Sequence, residues 1–278
     1  MSHDWIKVFC CNEELGNPIS ENILGGTCSY FSRKNPVLDR KNQDSLGFIS
    51  KNTEALLVVA DGIGGHRMGD EASKIAVTTI LDFCSKEKTL TISCIYEAIL
   101  LANKNVRGLN VGAGTTLCVS FIKENALTFF STGDSLGVHF SGQGNTKTQT
   151  IDQSSAGLAK HSQLFKEQEF ATKEGGNQLI YALGDEHIHL SIAGPMEMNQ
   201  RDQVLLSSDG LTANMSESEI SQVITSGPVN ERVEQLIRQT NERMHSERGH
   251  PDDLTIVLLA LGRADATTED PEVKEKVV

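Results

Sequence analysis

Between residues 55 and 60 the chain reads Ala-Leu-Leu-Val-Val-Ala. A continuous apolar run of that length is the pattern of a strand covered on both faces. Gln203–Ser207 has the same character, as does the run from Leu254 to Leu261. Shorter strands are predicted at Cys28–Phe31 and Leu46–Ile49, and further ones over residues 115–122, 126–132 and 136–140, where β-branched and aromatic residues sit between turn residues. The period changes after Gly69. Ala72, Ile75, Ala76, Thr79, Ile80 and Phe83 form one helical stripe, with Asp70, Glu71, Lys74 and Asp82 off it. A second helix is predicted over residues 93–106, burying Ile95, Ala98, Ile99, Ala102 and Val106. Two more follow at about 217–225 and 230–244. Residues 1–27 have weak periodicity and read as an N-terminal extension of unassigned role. Residues 142–178 form a polar excursion, and the charged stretch 263–278 is expected to be disordered. Strands and helices do not alternate strictly. The order predicts an α+β fold in which antiparallel sheets are covered by helices.

The chain has 278 residues, of which 38% are apolar and 22% charged. That is enough apolar material for a sizeable core. The 25 basic and 37 acidic residues give a net charge of −12. So acidic a chain excludes nucleic acid and anionic membrane as expected partners, since both select basic patches. No apolar run approaches the roughly 20 residues of a membrane helix, and the N-terminus lacks the basic-then-apolar pattern of a signal peptide. A reducing, cytoplasmic setting with six free thiols is therefore expected. Cys84, Cys94 and Cys118 lie in apolar stretches and read as small buried hydrophobes. The adjacent Cys10 and Cys11 have poor geometry for a chelate or a disulfide.

One acidic feature recurs. Asp61 and Asp209 each end an apolar strand, and each is followed by glycine. Asp134 follows the strand ending at Thr132, Asp252 and Asp253 precede the last strand, and Asp44 precedes its own. Any one of these alone is most simply a turn or a helix cap. Together they put carboxylates at the ends of strands that a packed sheet brings side by side. Such a cluster repels itself unless cations enter it, and an all-oxygen donor set selects Mg²⁺ or Mn²⁺ over zinc. The glycines leave room for a backbone carbonyl to approach a metal.

These segments resemble the metal-dependent Ser/Thr protein phosphatases of type 2C, in their compact bacterial form. The resemblance rests on motifs in order from about residue 42 to 261: Asn42-Gln43-Asp44-Ser45, Val59 to His66 with Gly69 and Ala72-Ser73, Gly114-Thr115-Thr116, Gly133-Asp134-Ser135, Ala182-Leu183-Gly184, Leu206 to Leu211, and Asp252 to Thr255. It implies a four-layer α/β/β/α sandwich of two mainly antiparallel sheets, with a catalytic domain over 28–262 and a flap at about 142–178. It further implies two core Mn²⁺ or Mg²⁺ ions, with Asp61 bridging both and Gly62 offering its carbonyl to one. Asp209 and Asp252 would hold the other, and Asp44 would act through a metal-bound water. Asp134, with Asp209, would hold a weaker third ion, as in bacterial members.

The implied reaction is hydrolysis of phosphoserine and phosphothreonine in proteins by a metal-bridging hydroxide attacking in line. The implied partners are a phosphorylated protein substrate and an opposing Ser/Thr kinase, with the phosphatase acting as a monomer. The chain departs from the family pattern at several places. Gln43 stands where the first motif usually has Glu, Leu136 where Arg usually follows Gly-Asp-Ser, and Asp253 where Asn usually follows the last aspartate. The usual phosphate arginine is replaced by Asp39, with Arg40 one residue later as the candidate. Ile63 stands where animal enzymes carry a histidine acid, which leaves His66 as the nearest proton donor. In the excursion, His161 and Lys147, Lys160, Lys166 and Lys173 are candidates to meet an acidic phosphoprotein. The competing reading is a pseudophosphatase that grips a kinase or phosphoprotein without hydrolysis. A third is a switch phosphatase with one small regulatory partner.

Overall fold

The structure is a computed structural model, and it describes residues 5–63, 68–162 and 178–262. Two six-stranded sheets lie face to face. The first is ordered β1 (Ile6–Cys11), β4 (Asp44–Lys51), β5 (Glu54–Asp61), β6 (Leu117–Lys123), β7 (Ala126–Thr132) and β10 (Ser191–Glu197). The second is ordered β2 (Ile19–Ile23), β3 (Gly26–Arg33), β12 (Leu254–Ala260), β11 (Gln203–Ser207), β8 (Leu136–Phe140) and β9 (Thr146–Gln149). Every strand pair is antiparallel.

The continuous apolar runs are explained by burial on both faces. In β5, Leu56, Val58 and Ala60 face two helices, α1 (Gly69–Cys84) and α2 (Ile92–Arg107), while Leu57 and Val59 face the second sheet. In β11, Val204 and Leu206 face the first sheet. Leu205 points the other way, into a layer built by α4 (Asp209–Thr212), α5 (Glu217–Val223) and α6 (Val229–Met244). A short α3 (Ser155–His161) follows β9. The result is the expected four-layer α/β/β/α sandwich. The stripe predicted after Gly69 is the buried face of α1, and the Thr91 side chain caps α2 by accepting from the Cys94 amide at 3.1 Å.

Three sequence expectations are corrected. Within the described part of residues 1–27 the chain is not a separate extension, because β1 and β2 are the outer strands of the two sheets. Edge strands are half-solvated, so β1 leaves Ile6 47% and Phe9 40% exposed and shows no clean alternation. The polar excursion contributes β9 to the second sheet, and β10 was unrecognised before Gln203. β10 contains Pro195 at a register shift, and an edge position tolerates the missing donor. The stretch 263–278 lies outside the described residues.

All six cysteines are free. Cys84 and Cys118 are buried as expected, but Cys94 is only partly so. Among the described residues no helix is long and apolar enough to cross a membrane.

Candidate metal centre

The strand ends deliver the acids to one place. Asp44 opens β4 and Asp61 closes β5, directly opposite each other across the ladder. From the second sheet, Asp209 begins α4 just after β11, Asp252 precedes β12, and Asp134 lies in the β7–β8 turn. β11 pairs with both β8 and β12, which fixes the three turns at the same end. Asp61, Gly62, Asp134, Asp209 and Asp252 line one cleft of about 170 Å³ together with Arg40, Ile63, Thr116 and Leu179.

The acids raise one another. Burial, and then the charge of Asp253, pushes the Asp44 carboxyl up to about 7. Burial holds Asp61 well above its usual range, reinforced by Asp44, Asp209 and Asp134. Asp209 is raised by burial and then by Asp134, Asp252 and Asp44. Asp134 is pushed up to about 6 by burial and then by Asp152. Asp44 is fully buried. Its Oδ2 accepts from the Ser208 hydroxyl at 2.7 Å, but its Oδ1 has no partner among the described residues. Asp209 Oδ1 is likewise buried without one. Orphaned buried carboxylate oxygens are costly in a folded protein.

This donor set fits hard divalent cations. It offers several carboxylates with high affinity for positive charge, two unspent buried oxygens, and a backbone carbonyl. That carbonyl is Gly62's. Gly62 and Thr115 face each other as a pair with hydrogen bonds only at the flanking residues, from Ile63 N to Gly114 O and from Thr116 N to Asp61 O. The Gly62 carbonyl is therefore not consumed by this ladder. Among the described residues, no three acidic, histidine or cysteine side chains stand in an arrangement that could hold a metal ion as it is. Asp252 shows why: its Oδ1 accepts from Arg40 Nη2 at 2.6 Å and from the Asp253 amide at 2.8 Å. Arg40 is the counter-charge that the cluster has to hand.

Both Asp-Gly pairs need their glycines for close backbone packing. A Cβ on Gly62 would lie 2.2 Å from the Gly69 carbonyl oxygen, and one on Gly210 would lie 2.0 Å from the Asp253 carbonyl oxygen. Room for a metal is thus not the only cause of these glycines. Gly62 clears the start of α1, and Gly210 clears the start of β12.

Arg40 sits at the cleft, as required of a phosphate ligand, and also contacts Gln43 Oε1 and Asp253 Oδ2. The Gln43 side chain is therefore committed to Arg40. Its backbone is as busy, donating to Asp253 Oδ2 at 2.8 Å and accepting from Gly62 N at 3.0 Å and Ser73 Oγ at 2.6 Å. Asp253, nearly fully buried, also accepts from the Asn35 amide at 2.6 Å. It fastens the loop carrying Arg40 to the strand that follows Asp252.

Thr116, Ser135 and Ser208 lie within motifs singled out from the sequence, but their supporting roles were not read there. Ser208 and Thr116 orient Asp44 and the Asp61 backbone, the latter by accepting from Asp61 N at 2.9 Å. Thr116 also meets Ser135 Oγ at 2.6 Å. Small hydroxyl residues give no sequence signal until their partners are known. His66, Lys166 and Lys173 lie outside the described residues. Lys147 does not face a partner protein: its Nζ is 2.7 Å from the buried Asp202 carboxylate, which His139 Nε2 also meets at 2.9 Å.

The family model for protein phosphatase 2C matches residues 37–258. The protein phosphatase PhpP of Streptococcus pneumoniae is 29% identical over 237 residues, covering 81% of this chain and 94% of its own. The Ser-Thr phosphatase MsPP of Mycobacterium smegmatis superposes with a TM-score of 0.71 at 27% identity, over 84% of this chain and 98% of that one. The catalytic domain of PstP, solved with two manganese ions, superposes at 0.68 with 23% identity, over 84% and 98%. With the motifs carried on the strand ends of this sandwich, and with the match extending from the Arg40 loop into β12, the chain belongs to the protein phosphatase 2C family.

Proposed function

We propose that this protein hydrolyses phosphoserine and phosphothreonine in proteins, using divalent cations held by Asp61, Gly62, Asp209 and Asp252. The observation that carries the reading is the convergence of buried, mutually repelling carboxylates with two unpartnered oxygens. In this assignment Asp61 and the Gly62 carbonyl would help hold the core Mn²⁺ or Mg²⁺ ions with Asp209 and Asp252. Asp44 would act through water, and Asp134 with Asp209 would take a weaker third. The two manganese ions of the PstP catalytic domain support a count of two in the core. When bound, the cations supply a water of lowered pKa and a positive field for the phosphate dianion.

The chain's own groups do the rest. Ser208 fixes Asp44 in one orientation. The Arg40 guanidinium, once Asp252 is engaged elsewhere, presents a planar fork of donors suited to phosphoryl oxygens. Asp253 holds that arginine's loop in place. Water attacks phosphorus, the bond to the Ser or Thr oxygen breaks, and that oxygen takes up a proton for which His66 is the proposed donor. Neither Gln43 nor Leu136 removes an oxygen ligand from this set, so the observations favour hydrolysis over a pseudophosphatase. We also assign the enzyme to a cytoplasmic setting, as a monomer opposing a Ser/Thr kinase.

The test is release of phosphate from a phosphothreonine peptide with and without Mn²⁺. Turnover should require the metal, and Asp61→Asn should lower it by about a thousandfold, the scale of several kcal/mol of lost charge stabilisation. Metal-independent turnover, or an Asp61→Asn variant with unchanged rate, overturns the proposal.

A further inference from the structure

A second cleft, of about 460 Å³, opens beside the metal centre and shares Asp134 and Asp209 with it. Its base is one face of β8. Leu136, Val138 and Phe140 fall at alternate positions along that strand and turn toward the α4–α6 layer. The strand starts two residues after Asp134, so the apolar face runs directly away from the acid cluster. Met215 and Ile220, on either side of the α5 N-terminus, close the base from above. Asp152 and Glu217 stand in the lining as well, against one lysine, Lys160, so the margin is acidic on balance. The volume is that of a ligand site rather than a packing defect. The lining is mixed, and since Val138, Phe140, Met215 and Ile220 are at most 3% exposed, the apolar surface it offers comes from Leu136 and Ala213.

We infer that this cleft is a substrate subsite, which takes a bulky apolar side chain of the phosphoprotein close in sequence to the phosphorylated residue. The inference rests on the phosphatase reading and adds to it a preference in sequence. Two observations name the occupant. The cleft is continuous with the metal centre through Asp134 and Asp209, and an extended peptide advances only about 3.3 Å per residue. A chain anchored by its phosphoryl group therefore passes over the cleft within a few residues. The acidic margin further favours basic residues beside the apolar one. Leu136 gives the near end of the base its apolar character, and it occupies the position nearest the acids.

The experiment compares kcat/KM with Mn²⁺ on phosphothreonine peptides that carry leucine or glycine at each flanking position in turn. p-Nitrophenyl phosphate, which has no flanking residues, serves as the reference. At one or more positions leucine should exceed glycine by at least about tenfold, the discrimination an apolar pocket gives. Ala213→Trp places a ring into the cleft from an exposed position at the end of α4, and Leu136→Ala removes part of the base. Both should bring the leucine-to-glycine ratio close to one, and Ala213→Trp should leave turnover of p-nitrophenyl phosphate unchanged. A wild-type ratio near one at every position, with p-nitrophenyl phosphate turned over normally, overturns the subsite alone. So does an Ala213→Trp enzyme that keeps the wild-type ratio. Absence of metal-dependent turnover of p-nitrophenyl phosphate by the wild type would overturn the phosphatase reading and the subsite with it.

Discussion

Replacing Asp61 with asparagine should make the metal-free protein more stable while destroying its response to manganese. Burial and then the charges of Asp44, Asp209 and Asp134 hold the Asp61 carboxyl well above its ordinary range. An acid raised on folding binds more protons in the folded than in the unfolded state over the interval between its two pKa values. Stability therefore falls as pH rises through that interval. Asp44, opposite Asp61 across the ladder, is itself raised from 3.8 to about 7. At 1.36 kcal/mol per pH unit, that interval corresponds to on the order of 4 kcal/mol. The amide introduced by Asp61→Asn cannot ionise and relieves three neighbours at once. In chelator near pH 7.5 the variant should gain about 2 kcal/mol, or roughly 4–8 °C in Tm for a chain of this size. Toward acid pH, where the raised wild-type carboxyl takes up its proton, the gain should shrink. Manganese reverses the order: at about a hundred times Kd it stabilises the wild type by roughly 2.7 kcal/mol and leaves the variant nearly unmoved. Thermal unfolding followed by circular dichroism from about pH 5 to pH 8, with chelator and with Mn²⁺, reads all of this. A variant less stable than wild type in chelator at every pH, or stabilised equally by Mn²⁺, would refute the reasoning.

Three further outcomes are expected. Gly210→Ala puts a methyl 2.0 Å from the Asp253 carbonyl oxygen. It should cost about 1–3 kcal/mol by overpacking and weaken Mn²⁺ binding in calorimetry, because the start of β12 must shift. Arg40→Ala should raise KM for phosphopeptides by about tenfold or more. Arg40→Lys should recover little of it, because a single ammonium cannot reproduce the planar fork offered to phosphoryl oxygens while also holding Gln43 and Asp253. Leu206→Ala, fully buried between the sheets, should lower stability by about 2–5 kcal/mol in urea unfolding while leaving KM unchanged.

The central strands and the long helices were legible because tertiary burial wrote directly into their periodicity. The interiors of β5 (Ala55 to Ala60) and β11 (Val204 to Leu206) are apolar since both of their faces are covered. The outer strands β1, β2 and β9 carry no such record, because half their surface meets water and their pairing is set by neighbours distant in sequence, such as Cys10 opposite Leu46. The acids of the candidate metal centre could be picked out by their place at strand ends. Their support could not. Asp253 looks in sequence like one more carboxylate, yet it turns away to accept from Asn35 and Gln43. Nothing local to Gln43 announces that it ties together Arg40, Gly62, Ser73 and Asp253. Gly62 and Gly210 were singled out for the approach of a carbonyl to a metal, whereas the close backbone neighbours that also require them, Gly69 and Asp253, are visible only in the fold.

The most direct test of the account is anomalous diffraction from crystals grown with Mn²⁺. Two strong peaks are expected, with Asp61 between them, the Gly62 carbonyl on one, Asp209 and Asp252 on the other, and Arg40 no longer paired with Asp252. Peaks elsewhere, or no peak in the cleft at saturating Mn²⁺, would contradict it.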